Sequence, residues 1–216
     1  MRQVKTYIFD ADGVVIEPWG FARVLRESYG ITSEMVFAFF KGPFDLCMRG
    51  EMDVRDCLPP YLQKWGWEGS MEQFISTWLA SDDRPMREML SLVGQIRNAG
   101  ILCCLGSNQD RVRAEYVRKD MGFDAMFDRC FFSCEIGAAK PNKAFYEHIT
   151  SQLKVRPEDI FFVDDCGANI DAAIEHGWHA VRFEGRETME WIARQAGVEN
   201  ALELSDSPGC QAEGER

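Results

Sequence analysis

The chain has 216 residues, of which 46% are hydrophobic and 27% charged, and its formal net charge is -11. These values are typical of a globular protein with one large domain, or with a core that carries a modest insertion. The negative charge argues against nucleic acid or an anionic membrane as the main partner, because an acidic surface does not attract a polyanion. No apolar run reaches the roughly 20 residues that span a bilayer, and no secretion signal is visible, so we expect a cytoplasmic protein.

The sequence predicts a first strand from Lys5 to Asp10, followed at once by a second acid, Asp12, and by Gly13. Side chains alternate along a strand, so two acids that are two residues apart can point the same way where the chain leaves the sheet. Two carboxylates held together bind a hard cation or share a proton. We therefore expect the active site to include the end of this strand.

The segment of residues 17–84 has its apolar residues at helical spacing and lacks convincing strands. Ser70 is a candidate helix N-cap, and Pro59 and Pro60 favour the start of a helix that runs through Trp65. We predict a small helical bundle inserted after the first strand.

Strand and helix patterns alternate from about residue 85 to 183, which indicates parallel βαβ units. The fold class is therefore predicted as α/β, a Rossmann-like parallel sheet formed by residues 1–16 and 85–197, with the helical segment inserted into it. Ligands of such sheets bind at the carboxyl ends of the strands. The acidic tail, residues 198–216, shows no apolar period and is predicted to be disordered.

Polar residues follow the other predicted strands or precede a helix near the same edge of the sheet. Ser107 and Asn108 follow the second strand, Lys140 precedes a helix, and Asp164 and Asp165 end a later strand. Together with the first two acids they suit a phosphate ester held by a divalent cation, because carboxylate oxygens suit Mg²⁺ and a lysine offsets phosphoryl charge. Taken alone, each of these groups has a structural interpretation, such as a turn or a helix cap.

These motifs, in this order, resemble the haloacid dehalogenase superfamily of hydrolases, and the helical insertion of residues 17–84 looks like the small α-helical cap subdomain of that family. The resemblance covers about residues 4–196 and rests on the following stretches: DADGV at residues 10–14, Ser107-Asn108, Lys140-Pro141, and VDDCGANIDAA at residues 163–173. The last stretch, with Asn169, is similar to a branch that contains sugar-phosphate phosphatases, the alpha-D-glucose-1-phosphate phosphatase type being the nearest kind. Gly106 departs from the usual pattern, and we expect it to loosen the turn before the serine.

The resemblance implies a role for each matching residue. Asp10 would be the nucleophile that becomes an aspartyl-phosphate, Asp12 the general acid and base, and Lys140 the cation that offsets their charge. Mg²⁺ would be bound by Asp10, Asp165 and the backbone carbonyl of Asp12. Phosphate would be held by Ser107, Asn108 and Lys140, with Asp164 and Asn169 acting from beside the metal site.

The implied activity is Mg²⁺-dependent hydrolysis of a small phosphate monoester, with a sugar phosphate as the expected substrate. A phosphomutase, a 2-haloacid dehalogenase and an inactive binding or regulatory member are the alternatives. Asp12 and Asp165 argue against a dehalogenase, and no set of cap residues suited to a bisphosphate is recognisable. The expected partner is a small phosphorylated molecule, and the choice between monomer and homodimer stays open.

The eight cysteines form no CxxC pair and lack zinc-finger spacing. We expect reduced and mostly buried thiols. Cys166 stands out because it follows the acidic pair, where it can be oxidised or attract a softer metal; a spectator thiol is the favoured interpretation.

Overall fold

A computed structural model describes residues 4–198 of the chain. The predicted disordered tail lies outside the described residues, apart from Val198. Within residues 4–198, every helix is too short or too polar to cross a membrane.

Five parallel strands form one sheet in the order β3-β2-β1-β4-β5. The strands are β1 (Thr6–Phe9), β2 (Leu102–Ser107), β3 (Arg129–Phe132), β4 (Ile160–Asp164) and β5 (His179–Arg182). In the register, Phe9 lies opposite Leu105 of β2 and Val163 of β4. The predicted parallel α/β sheet is confirmed, and β1 is its central strand. The residues that follow β1 therefore emerge between the ends of β2 and β4.

The first six helices after β1 form a group that we call the helical bundle. They are α1 (Gly20–Tyr29), α2 (Ser33–Phe40), α3 (Pro43–Met48), α4 (Val54–Cys57), α5 (Pro59–Trp65) and α6 (Met71–Ser81). The Ser70 side chain caps α6 as predicted, since it accepts a hydrogen bond from the Gln73 amide while the Gln73 side chain bonds back to the Ser70 amide. The predicted division at residues 17 and 84 stays a prediction.

Up to residue 198, seven α-helices follow the bundle along the chain. They are α7 (Arg87–Asn98), α8 (Arg111–Lys119), α9 (Phe123–Met126), α10 (Ser133–Ile136), α11 (Lys143–Leu153), α12 (Gly167–Glu175) and α13 (Arg186–Ala196). The alternation of side chains along β1 directs Tyr7 and Phe9 into one apolar cluster and Ile8 into a second, so both faces of the sheet are covered. The bundle has a third cluster of its own, dominated by aromatic side chains.

Two segments join the bundle to the sheet, and they run side by side. The Glu17 amide donates to the Arg84 carbonyl at 2.8 Å, and the Met86 amide donates to the Val15 carbonyl at 2.8 Å. The side chains of Glu17 and Arg84 also form an ion pair. The bundle is thus tied to the sheet directly beside the residues that follow β1.

Candidate active site

Lys140 lies between two buried carboxylates at the carboxyl end of the sheet. Its Nζ is 2.9 Å from Asp10 Oδ1 and 2.6 Å from Asp164 Oδ2, and its side chain is almost completely buried. Asp10 Oδ1 also accepts a hydrogen bond from the Ala11 amide at 2.7 Å. Three residues that the sequence suggested as site members are therefore in direct contact, although 24 residues separate Lys140 from Asp164.

Asp164 is fully buried and is held by several donors. One oxygen accepts from the Cys166 amide at 2.8 Å, and Asn169 Nδ2 lies 3.0 and 3.1 Å from the two oxygens. Tyr146 in turn donates its hydroxyl to the Asn169 carbonyl at 2.9 Å. Because other groups bind both Asp164 oxygens, the geometry favours an orienting role for this carboxylate.

A carboxylate oxygen from each of Asp10, Asp164 and Asp165 lies within 4.8 Å of the others. The first two side chains are buried and Asp165 is exposed. Three oxygen donors converging at this spacing form a site that fits a hard divalent cation with further water ligands. The Asp12 carboxylate is directed elsewhere, and its predicted backbone contribution to a metal site stays a prediction.

The pKa of Asp10 shows that negative charge is unfavourable at this site in the absence of a bound cation. The pKa of Asp10 is raised to about 7, mainly by burial. Lys140 lowers this pKa but only partly offsets the burial, and the neighbouring Asp164 adds to the rise. Burial also raises the pKa of Asp165, again with a contribution from Asp164. A divalent cation bound among these oxygens would favour the ionised carboxylates. The crowded negative charge of the site therefore fits the binding of such a cation.

Ser107 and Asn108 occupy the end of β2, next to the acids. Ser107 is buried, and the Asn108 side chain is tied to the backbone of Lys140 by two hydrogen bonds of 2.9 and 2.8 Å. The expectation that Gly106 loosens the turn is wrong, because Gly106 lies inside β2. An added Cβ would be 2.8 Å from Ile8 Cγ2, so glycine here permits close packing between strands.

Asp12 is oriented by two side chains that the sequence analysis missed. Gln109 Nε2 donates to Asp12 Oδ2 at 2.7 Å and also lies 3.1 Å from Ser107 Oγ, while Arg113 Nη2 donates to Asp12 Oδ1. The Gln109 backbone is itself fixed, since its amide donates to Ser133 Oγ at 3.0 Å. The carboxylate of Asp12 is thus held apart from the Asp10 cluster.

Arg113 connects Asp12 to the helical bundle. It is buried, and its Nη1 lies 3.5 Å from Asp82 Oδ2, just after the end of α6. Asp82 also accepts from the Phe21 amide at 2.8 Å and from Trp78 Nε1 at 3.1 Å. One sequence signal was available for Arg113, because it shares a helix face with two buried apolar residues, where an unpaired charge would be costly.

A cavity of about 590 Å³ lies between these residues and the bundle, with Asp10, Asp12, Ser107, Lys140 and Asp165 among its lining residues. The bundle carries several basic residues that are candidates for contact with a substrate: Arg23, Arg26, Lys41, Arg49 and Arg55. Of these five, only Lys41 lines the cavity. Arg23 and Arg26 line a neighbouring pocket of about 370 Å³. Arg49 and Arg55 form ion pairs with nearby acids.

Comparison with known proteins gives relatives of similar sequence. The chain is 25% identical over 199 residues to bifunctional epoxide hydrolase 2 of Rattus norvegicus, covering 81% of the chain and 35% of that protein. It is 28% identical over 165 residues to the sesquiterpene phosphatase astK of Aspergillus oryzae, covering 75% of the chain and 77% of the relative. The chain thus spans about a third of the length of the epoxide hydrolase.

A solved structure of a haloacid dehalogenase family enzyme from Bacteroides thetaiotaomicron, in complex with magnesium and inorganic phosphate, has the same fold. It aligns with a TM-score of 0.68 at 21% identity, covering 85% of this chain and 96% of that one. The family model described as haloacid dehalogenase-like hydrolase matches residues 63–177, more than half of the 216 residues. The chain is therefore a member of the haloacid dehalogenase-like hydrolase family.

Proposed function

We propose that the chain hydrolyses phosphate monoesters in a Mg²⁺-dependent reaction, with Asp10 as the nucleophile. The observation that carries this proposal is the cluster of Asp10, Asp164 and Asp165 around the buried amine of Lys140. This cluster offers a nucleophile, oxygen ligands for a hard cation and a positive charge close to the phosphoryl oxygens. The complex of a structural relative with magnesium and inorganic phosphate supports this choice of ligands.

The first transfer breaks the ester bond. Lys140 and the Ala11 amide orient Asp10 through its Oδ1. The carboxylate attacks phosphorus as the bond from phosphorus to the alcohol oxygen breaks, which leaves an aspartyl-phosphate. Ser107 and the Asn108 amide hold the phosphoryl group, while Lys140 offsets its charge. The proposal thus gives these residues the roles that the family resemblance implied.

Asp12 carries the proton in both transfers. In its protonated form it gives a proton to the departing alcohol oxygen, and it then takes one from the water that attacks the aspartyl-phosphate and releases inorganic phosphate. Gln109 and Arg113 act as positioning residues, since they bind the two oxygens of Asp12. Such general acid-base work typically contributes about 10² to 10⁴-fold to the rate.

Asp10 and Asp165 would hold the Mg²⁺, with Asp164 and Asn169 orienting them. When bound, Mg²⁺ supplies positive charge that stabilises the transferring phosphoryl group. The lining residues of the cavity contain both the acids and side chains of the bundle, so we propose that the bundle acts as a cap that excludes water from the reacting atoms.

The test is phosphate release from 4-nitrophenyl phosphate, measured with Mg²⁺ and after chelation. We expect hydrolysis only with the metal, and loss of turnover in Asp10→Asn. Asp124→Asn is a matched control, because this acid is exposed and pairs with Arg118 away from the cavity. Intact mass measured during turnover should show a phosphorylated protein in the wild type and none in Asp10→Asn. Unchanged turnover after chelation or in Asp10→Asn would remove the mechanism.

The same preparations separate the alternatives that the sequence left open. Release of chloride from 2-chloropropionate would support a dehalogenase, and isomerisation of a sugar phosphate without net phosphate release would support a mutase. Binding of phosphate esters without any turnover would support an inactive member. The cytoplasmic location stays a prediction, and the choice between monomer and homodimer stays open.

A further inference from the structure

The walls of the cavity above Asp10 are apolar and mostly aromatic. They are formed largely by the helical bundle, and Phe37, Phe40, Phe44 and Trp78 lie along them, with Trp19 from the segment before α1. The reacting acids and Lys140 belong to the same cavity. Whatever group leaves the phosphorus atom therefore departs into a largely hydrocarbon environment.

Two of these wall residues are exposed although they are large and apolar. Trp19 is 79% exposed and Phe37 is 61% exposed. Neither belongs to the apolar cluster of the bundle, whereas Phe44 and Trp78 do. Folding therefore gains little from them, and a ligand that covers them would gain by removing their surface from water.

The backbone of Trp19 supports a role in ligand binding. Its φ of 69° places it in the left-handed region, which is uncommon for a bulky residue and disfavoured sterically. Strained residues of this kind concentrate at functional sites. An exposed tryptophan in such a conformation, at the edge of the cavity that holds the acids, indicates a side chain placed for contact with substrate.

Polar groups are scarce on the same walls. Between residues 17 and 82, the cavity lining includes only Ser33, Lys41 and Asp82 as polar residues besides the tryptophans. Asp82 is already engaged by Phe21, Trp78 and Arg113. A sugar would bring several hydroxyl groups into this space and lose their hydrogen bonds to water, which is unfavourable without replacement partners. The walls therefore favour a different leaving group from the predicted sugar.

We propose that the substrate is a phosphate monoester of an apolar aliphatic alcohol, whose hydrocarbon part fills the cavity against Trp19, Phe37 and Phe40. This inference rests on the proposed function and specifies its substrate class. Without a proton the alcohol would have to leave as an alkoxide, which is a poor leaving group. Asp12 therefore donates its proton to the ester oxygen as the bond to phosphorus breaks, and the neutral alcohol departs. The products are the free alcohol and, after water attacks the aspartyl-phosphate, inorganic phosphate.

The first experiment measures kcat/KM for butyl, hexyl and octyl phosphate, kept below micelle-forming concentrations, beside glycerol 3-phosphate and glucose 6-phosphate. Burial of each added methylene should raise kcat/KM about fourfold until the cavity is filled. Equal values along the alkyl series, or higher values for the two polar esters, would overturn the inference.

Acetyl phosphate separates this failure from failure of the proposed function, because its leaving group is small and departs without an added proton. Metal-dependent hydrolysis of acetyl phosphate with a flat alkyl series would refute the apolar substrate alone. Absence of hydrolysis with every phosphate compound would refute both the inference and the proposed function.

The second experiment changes the wall. Phe37→Ser should lower the ratio of kcat/KM for octyl phosphate to that for butyl phosphate by about tenfold, since part of the apolar contact with the longer chain is lost. Ile174→Ser is the control: Ile174 is 53% exposed on α12 and is not a lining residue of the cavity. We expect the control to keep the wild-type ratio. An unchanged ratio in Phe37→Ser, or an equal fall in the control, would contradict the assignment of this wall.

Discussion

Replacing Arg113 with methionine removes the guanidinium that orients Asp12 while keeping much of the buried side-chain volume. Arg113 Nη2 donates to one Asp12 oxygen, and Gln109 remains bonded to the other at 2.7 Å. We expect kcat/KM for an alkyl phosphate to fall about 10- to 100-fold, within the range that general acid catalysis contributes. The fall should be smaller than in Asp12→Asn, where the proton itself is lost.

The same substitution has a cost in stability that can be worked from the contacts. A buried ion pair that loses one partner typically costs about 3–5 kcal/mol. Asp82 keeps its hydrogen bonds to the Phe21 amide and to Trp78, so we expect about 2–3 kcal/mol in the free energy of unfolding. For a chain of this length, that lowers Tm by about 4–12 °C. Activity measured well below the new Tm then reports on Asp12.

The assay compares an alkyl phosphate with 4-nitrophenyl phosphate, whose leaving group needs little protonation. We expect Arg113→Met to lower kcat/KM for the nitrophenyl ester by less than about threefold, since only the alkyl ester depends on the acid. In an Asp12→Asn background, Arg113→Met should have little further effect, because coupled residues are not additive. Arg118→Met is the control: it removes the same charge from the same helix, at an arginine that pairs with Glu135 and Asp124.

Two results would refute this reasoning. The first is an equal loss for both esters in Arg113→Met, which would mean that the residue supports binding or folding and not proton transfer. The second is an undiminished effect of Arg113→Met in the Asp12→Asn background, since the residue would then act independently of that acid.

Lys140→Met leaves two buried carboxylates without their cation, so we expect loss of turnover. We also expect the free energy of unfolding, measured with urea in the absence of metal, to fall by about 3–5 kcal/mol. Lys143→Met, at an exposed lysine, is the control, and retained turnover in Lys140→Met would contradict the assignment. Burial raises the pKa of Asp110 to about 6, so the folded state binds its proton more tightly than the unfolded chain does, and this contribution to stability is lost as pH rises from about 4 to 6. The stability of the wild type relative to Asp110→Asn should therefore fall by up to about 3 kcal/mol over that interval, and a constant difference in urea unfolding would contradict it. Gly13→Ala should weaken Mg²⁺ binding in calorimetry, because its Cβ would lie 2.4 Å from Asp165 Oδ2 at a φ of +82°; unchanged affinity would show that the acid moves freely.

The sheet could be predicted because its strands are short apolar runs that end in polar residues. The apolar runs over residues 101–105 and 160–163 favour strands, and the structure has strands at Leu102–Ser107 and Ile160–Asp164. The bundle was harder to predict, since α3 and α4 are short helices with weak periodicity. Helix α13, although amphipathic, was also missed. Short helices depend on tertiary packing for their stability, which local patterns do not report.

The site residues at the ends of strands could be predicted from the sequence. The contacts between residues that are far apart in the sequence could not. Lys140 contacts both Asp10 and Asp164, because the ends of parallel strands lie at one edge of the sheet. Arg113 is 101 residues from Asp12, and its link to Asp82 depends on how the bundle packs. No sequence spacing specifies such a contact, and a charged residue on an apolar helix face was the only local sign of it.

The reacting residues and the walls of the cavity come from different parts of the chain. The acids and Lys140 follow strands or lie in the loops at their ends, whereas the aromatic walls come largely from short helices with an apolar cluster of their own. Substitutions in those helices can reshape the cavity while the hydrogen-bonded register around β1 stays fixed. Substrate preference can therefore diverge during evolution, or be changed by engineering, without rebuilding the reaction centre.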